Sequence, residues 1–232
     1  MSNKKKSFIL FVLALVSVVL LFPKNTYAAE YSELEEAIEI LETPENYSEY
    51  LRNYTTEDAL SLGVSPEYVE SAVKDALVQL KEFQALDYNQ QVEFLNSMKN
   101  PFLLSEEKVI EDPLPPFSIL ASNSRTVSYT STLSSFGINW TTYKVSGTYT
   151  YNSTGALKAG STSGIVVRNL NPMVQTSKTS SYGSVSNKKY TGIATFDYKI
   201  GPFKGLSVQL GTYNLRVIGG KDGRISGSAW KN

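Results

Sequence analysis

The chain has 232 residues, 41% of them hydrophobic, with 22 basic and 22 acidic side chains and a formal net charge of zero. That length suits one or two domains with a sizeable core. Neither cysteine nor histidine occurs, which excludes disulfides, thiol chemistry and Cys- or His-ligated metal, and removes the commonest general base.

The neutral total conceals two oppositely charged parts. Residues 30–112 hold 20 acidic side chains against 5 basic ones, a net of −15, whereas residues 113–232 hold 2 acidic (Asp197, Asp222) against 13 basic, a net of +11. Between them Glu111-Asp112-Pro113-Leu114-Pro115-Pro116 reads as a stiff hinge. The expected organisation is a leader over 1–28, an acidic helical region over 29–110, a proline-containing hinge over 111–121 and a basic Ser/Thr/Tyr-rich β domain over 122–232.

The leader has three parts: Lys4-Lys5-Lys6, an apolar run from Phe8 to Phe22, and a polar stretch ending Ala28-Ala29. This is the layout of a secretory signal peptide cut between Ala28 and Ala29, and the run is shorter than the ~20 residues a spanning helix needs. The expectation is therefore a secreted, extracellular protein.

In the acidic region Leu34, Ala37, Ile38 and Leu41 recur at helical spacing behind the capping-box pair Ser32 and Glu35. Thr43-Pro44 starts a second helix carrying the stripe Tyr47, Tyr50, Leu51 and Tyr54, and Thr55–Leu62 a third, stopped by Gly63. Ser65-Pro66 opens the longest helix, over 66–85, with Val69, Ala72, Val73, Ala76, Leu77, Leu80 and Phe83 on one face. Asp87 with Gln90 caps the last, whose face is Tyr88, Val92, Leu95 and Met98. The set reads as a small helical bundle. Self-repulsion at this charge density costs stability, which suggests a cationic partner.

Beyond the hinge the period changes to two. Residues 122–232 contain 32 Ser+Thr and 8 Tyr, a composition that suits strands with one polar face. Thr141, Tyr143, Val145, Gly147, Tyr149 and Tyr151 share one face of a strand of about 12 residues, and Asn152–Gly155 turns it into a return strand over 156–169. Thr176 to Asn187 is poor in apolar residues and reads as a loop or frayed edge. Tyr190, Ala194, Phe196, Tyr198 and Ile200 alternate with polar residues. After Leu206, Val208 and Leu210 the apolar phase slips by one to Tyr213, Leu215 and Val217, predicting a bulge near Gly211-Thr212. Gly219–Gly223 turns into a last strand ending at Trp230. The fold class is α+β in two segregated parts, an N-terminal helical bundle and a C-terminal antiparallel β-sandwich or small barrel of six or seven strands.

No catalytic signature stands out. Ser186-Asn187-Lys188-Lys189 and Ser105–Lys108 match S-x-x-K, but Lys189-Tyr190-Thr191-Gly192 has a residue too many for K-T-G, and such matches are expected by chance in so Ser- and Lys-rich a chain. The reading is a non-enzyme without cofactor or metal. The bases of the β half are dispersed, unlike those of a nucleic-acid groove reader. Lys144, Lys188, Lys189, Lys199, Lys204, Arg216, Lys221 and Arg224 are candidate contacts to an anionic surface, each worth on the order of 1 kcal/mol near an anionic membrane. Ser122-Asn123-Ser124-Arg125, just after the hinge, is the candidate processing region.

This layout, with stretches such as Tyr143-Lys144-Val145-Ser146-Gly147-Thr148-Tyr149-Thr150-Tyr151, resembles the large unmodified secreted bacteriocins of Gram-positive bacteria. The resemblance implies an antibacterial protein whose cationic domain binds an anionic envelope of wall polymers or membrane. Its acidic helices would then be an intramolecular partner, a masking or pro-region. The alternative is a non-lethal module that binds a cell wall or surface.

Overall fold

A computed structural model describes residues 35–99, 106–110, 123–200 and 208–232, with side chains undescribed at 106–110, 200 and 208–210. The expected leader over 1–28 with its Ala28-Ala29 junction, Ser32 of the expected capping box, Ser105, the 111–121 hinge, Ser122, Lys204 and Leu206 lie outside these residues.

The helices follow their local signals. Residues 35–40 form α1, with Ala37 and Leu41 buried and Glu35, Glu36 and Glu39 facing water. Thr43 caps α2 (Pro44–Asn53) through its side chain, which accepts from Asn46 N. Thr55 and Asp58 form a reciprocal capping box on α3 (Thr56–Ser61). Pro66–Tyr68 is a 3₁₀ turn that leads into α4 (Val69–Gln84), so the expected single helix begins with one tighter turn. Asp87 and Gln90 cap α5 (Tyr88–Lys99) reciprocally, at 2.9 and 3.1 Å.

Two of the expected faces need correction. Leu77 is 47% exposed and Tyr88 64% exposed, while Gln79 and Phe94 are buried. The buried stripes have rotated because these helices pack on a sheet as well as on one another, and each surface claims a different side.

Among the described residues, eight strands form two antiparallel four-stranded sheets. Sheet A comprises β1 (Glu106–Ile110), β2 (Ser124–Ser135), β3 (Ile138–Asn152) and β4 (Gly155–Asn169); sheet B comprises β5 (Val174–Ser186), β6 (Lys189–Ile200), β7 (Val208–Gly220) and β8 (Gly223–Lys231). Within each sheet every strand pairs with its neighbour in sequence, so the β half is two successive meanders, the chain folding over between β4 and β5. Of the loop or frayed edge expected over 176–187, the edge alternative holds: this stretch belongs to strand β5 at the edge of sheet B, where backbone pairing to β6 compensates for its missing apolar residues. The first strand, β1, comes from the acidic part and pairs with Thr130–Ser134. The predicted bulge is present: Tyr198 faces Gly211 while Lys199 faces Gln209, which leaves one extra residue in β7.

The sandwich interior is built from tyrosine set over glycine. Tyr129, Tyr143, Tyr149, Tyr190, Tyr198 and Tyr213 are all at most 2% exposed. Side chains at Gly147 and Gly227 would run into the rings of Tyr190 and Tyr129 from the opposite sheet. The absent Cβ atoms let broad rings fill the space without disulfides or a large aliphatic core.

Candidate functional site

A meander of long antiparallel strands has two ends, and the sequence assigns them opposite charge. At one end lie the Phe136-Gly137 turn, the β4–β5 connection and the described helices. At the other lie the β3–β4, β5–β6 and β7–β8 hairpin tips and the start of β2. From Val166, which touches the helical half, back along β4 to Ala156 is ten residues, roughly 30 Å at strand rise.

That far end is a basic pole. Lys188, Lys189, Lys221 and Arg224, named from the sequence, come together there, joined by Arg125 and Lys158. Among the described residues of the pole the acid is Asp222, whose carboxylate is 3.9 Å from Lys221 Nζ in an exposed pair of little strength. Two exposed aliphatics, Leu157 (56%) and Ile225 (53%), stand beside Lys158 and Arg224. Sequence reading missed Arg125, Lys158 and both aliphatics, because only the hairpin register brings them to one end.

The tips are fixed to one another. Ala156 N donates to Lys188 O at 2.8 Å, and Tyr149 Oη donates to Gly220 O at 2.6 Å. Burial, the main cause, pushes the Tyr149 hydroxyl up to about 12, so it stays a neutral donor at ordinary pH. The Arg125 guanidinium lies 4.6 Å from the Tyr151 ring centre, a cation–π contact that holds the charge at the rim.

The β5–β6 turn puts Asn187 at φ 49° and Lys188 at φ 60°. This two-residue turn prefers Asn-Gly, and an L residue in the left-handed region costs about 1–2 kcal/mol. A lysine therefore occupies a position where glycine would be more stable, and it does so at the apex of the pole.

The remaining candidates do not join this cluster. Lys144 projects from the outward face of β3 between buried Tyr143 and Val145, and Lys199 lies near the helical end of β6. Arg216 is exposed in β7, where Nε donates to Ser228 Oγ at 3.2 Å and the guanidinium stands 5.9 Å from the Trp230 ring. In the candidate processing region Asn123 is exposed and its carbonyl accepts from Tyr151 N at 2.7 Å, while Ser124 and Arg125 already pair with Thr150 and Tyr149 as the first residues of β2. The S-x-x-K residues Ser186 and Lys189 face each other across the β5–β6 hairpin.

At the opposite end the helices dock through a seam rich in neutral hydrogen bonds. Gln79 Nε2 donates to Tyr47 Oη at 2.6 Å, which donates to Leu170 O at 3.2 Å; Tyr54 Oη donates to Asn169 O at 2.8 Å. Burial holds both tyrosines well above the usual range. Phe83, Phe94 and Trp140 carry a ring-to-ring path across, at 5.3 and 5.4 Å. Arg168, whose pKa is depressed chiefly by burial, pairs with Asp75 at 3.3 Å.

Among the described residues no group of three or more Asp or Glu could hold a metal ion, and no helix is long and apolar enough to cross a membrane. Comparison of the chain with protein-family models, curated proteins and solved structures finds no match.

Proposed function

We propose that the protein is a secreted antibacterial, bacteriocin-like protein whose cationic β half binds an anionic cell envelope, with the acidic helical half as its pro-region. The observation that carries this reading is the basic pole: six bases and two exposed aliphatics on the hairpin ends and the start of β2, at the end away from the acidic helices. Basic residues supply attraction to phosphate-bearing surfaces, and Leu157 and Ile225 supply an apolar grip at the same depth. Of the masking and pro-region roles, the geometry favours the second. The helices dock about 30 Å away, beyond the ~8 Å reach of screened charge at physiological salt, so they leave the basic pole uncovered.

The test pairs binding with killing. The protein should sediment with vesicles containing phosphatidylglycerol and not with neutral ones, should lose that binding as salt rises, and should inhibit a Gram-positive indicator strain. Binding to anionic vesicles or walls without growth inhibition of any strain would favour the surface-binding module. Absence of binding to either would sink both.

A further inference from the structure

The helical half reaches the sandwich at two strand edges and covers both. On one side β1 pairs with Thr130–Ser134 of β2. On the other, the turn Leu62-Gly63-Val64-Ser65 enters the gap where β4 and β5 diverge. Leu62 O accepts from Thr176 N at 3.2 Å and from Asn169 Nδ2 at 3.0 Å; Ser65 N donates to Val166 O at 2.9 Å, and Ser65 Oγ accepts from Val166 N at 3.1 Å. Ser61 O accepts from Gln175 Nε2 at 2.9 Å and Met98 O from Asn171 Nδ2 at 2.8 Å. The turn thus completes both sheet edges as a short strand would. Gly63 is required there, since it sits at φ 89° and a side chain would run into the Thr176 carbonyl. Leu62 and Val64, on either side, are at most 4% exposed.

These bonds, those of the Tyr47 and Tyr54 hydroxyls and the Phe94–Trp140 contact each join a residue of 35–110 to a residue of 123–232. From this we infer that the β half carries a binding site for the helical half as a separate polypeptide, formed by the edge of β2 and the β4–β5 gap. Its ligand is a peptide with an apolar-Gly-apolar-Ser turn and an added strand. A cut in the hinge therefore converts the protein into a two-chain complex, and release of the β half is a second, separate event. This extends the pro-region reading given above but does not depend on envelope binding.

The experiment uses the full chain with a specific protease site inserted in the 111–121 hinge. After complete cutting, the two pieces should elute together from gel filtration at ~1 μM, as a Kd well below that requires. Separation at that concentration would overturn the inference. In the cut protein, Gly63→Val should raise the dissociation rate at least tenfold, and Tyr54→Phe, which keeps shape and loses one hydrogen bond, should raise it several-fold; unchanged rates in Tyr54→Phe and Gly63→Val alike would place the interface elsewhere and overturn it too. Should Gly63→Val not fold, Tyr54→Phe decides. Lys188→Gln with Lys189→Gln should leave dissociation unchanged. Co-eluting pieces that ignore anionic vesicles would uphold this site and defeat the envelope reading; separated pieces that still bind vesicles would do the reverse.

Discussion

Replacing Gly63 by alanine tests whether the two halves are one cooperative body. The residue sits at φ 89° against the Thr176 carbonyl, so an alanine meets two penalties. The left-handed backbone costs about 1–2 kcal/mol for an L residue. Relief of the clash moves Leu62 O away from Thr176 N and the buried Asn169 amide, and each donor left unpaired costs about 1–3 kcal/mol. Allowing for partial relaxation, Gly63→Ala should destabilise by about 3–5 kcal/mol. Urea unfolding followed by Trp140 fluorescence, in a Trp230→Phe background, reads the seam, because the Trp140 indole packs edge-on against Phe94 at 5.4 Å. One shared transition moving to lower urea is expected for Trp140 fluorescence and for β-sheet circular dichroism. A loss under about 0.5 kcal/mol, the size of an ordinary surface substitution, would refute the reasoning.

Other perturbations probe different parts. Gly227→Val should cost about 1–3 kcal/mol in thermal unfolding by forcing Tyr129 out of place. Lys188→Gly should raise stability by about 0.5–1 kcal/mol, by relieving the left-handed backbone, and should weaken vesicle binding. At the seam, Asp75→Asn should destabilise more than Arg168→Met, because the first leaves a largely buried guanidinium without its counter-charge. Tyr47 and Tyr54 are raised above the ordinary tyrosine pKa of 10.0 by burial. In the unfolded chain they ionise near pH 10, while the fold keeps them neutral, so their contribution is whole below pH 10 and is lost as pH rises towards the folded values. Stability measured by circular dichroism should fall steeply above pH 10, less so in a Tyr47→Phe, Tyr54→Phe double variant.

Much of the fold was legible because its signals are local. Thr43-Pro44, Thr55 with Asp58, and Asp87 with Gln90 set helix starts that need no tertiary partner, and strict alternation from Tyr190 to Tyr198 set the buried face of β6. The phase slip around Gly211 revealed a bulge for the same reason. What escaped was non-local. Phe94 and Gln79 are buried because a sheet lies over them, a fact that helical period alone does not contain. The edge strand β5 has almost no apolar signature, since backbone pairing with β6 supplies what side chains do not. The basic pole escaped as well: Arg125, Lys158, Lys188 and Lys221 are far apart in sequence, and their meeting depends on hairpin register. Dispersed bases along the chain became a cluster in space.

The most direct test of the account is which end of the molecule meets an anionic surface. The chain has no cysteine, so single substitutions Ser153→Cys at the exposed β3–β4 tip and Glu70→Cys on exposed α4 each take one polarity-sensitive fluorophore cleanly. With phosphatidylglycerol vesicles, the Ser153→Cys label should shift to the blue and the Glu70→Cys label should not, and Lys188→Gln, Lys189→Gln, Lys221→Gln and Arg224→Gln together should abolish the shift. Equal shifts at both positions, or a shift at Glu70→Cys alone, would contradict docking through the basic pole.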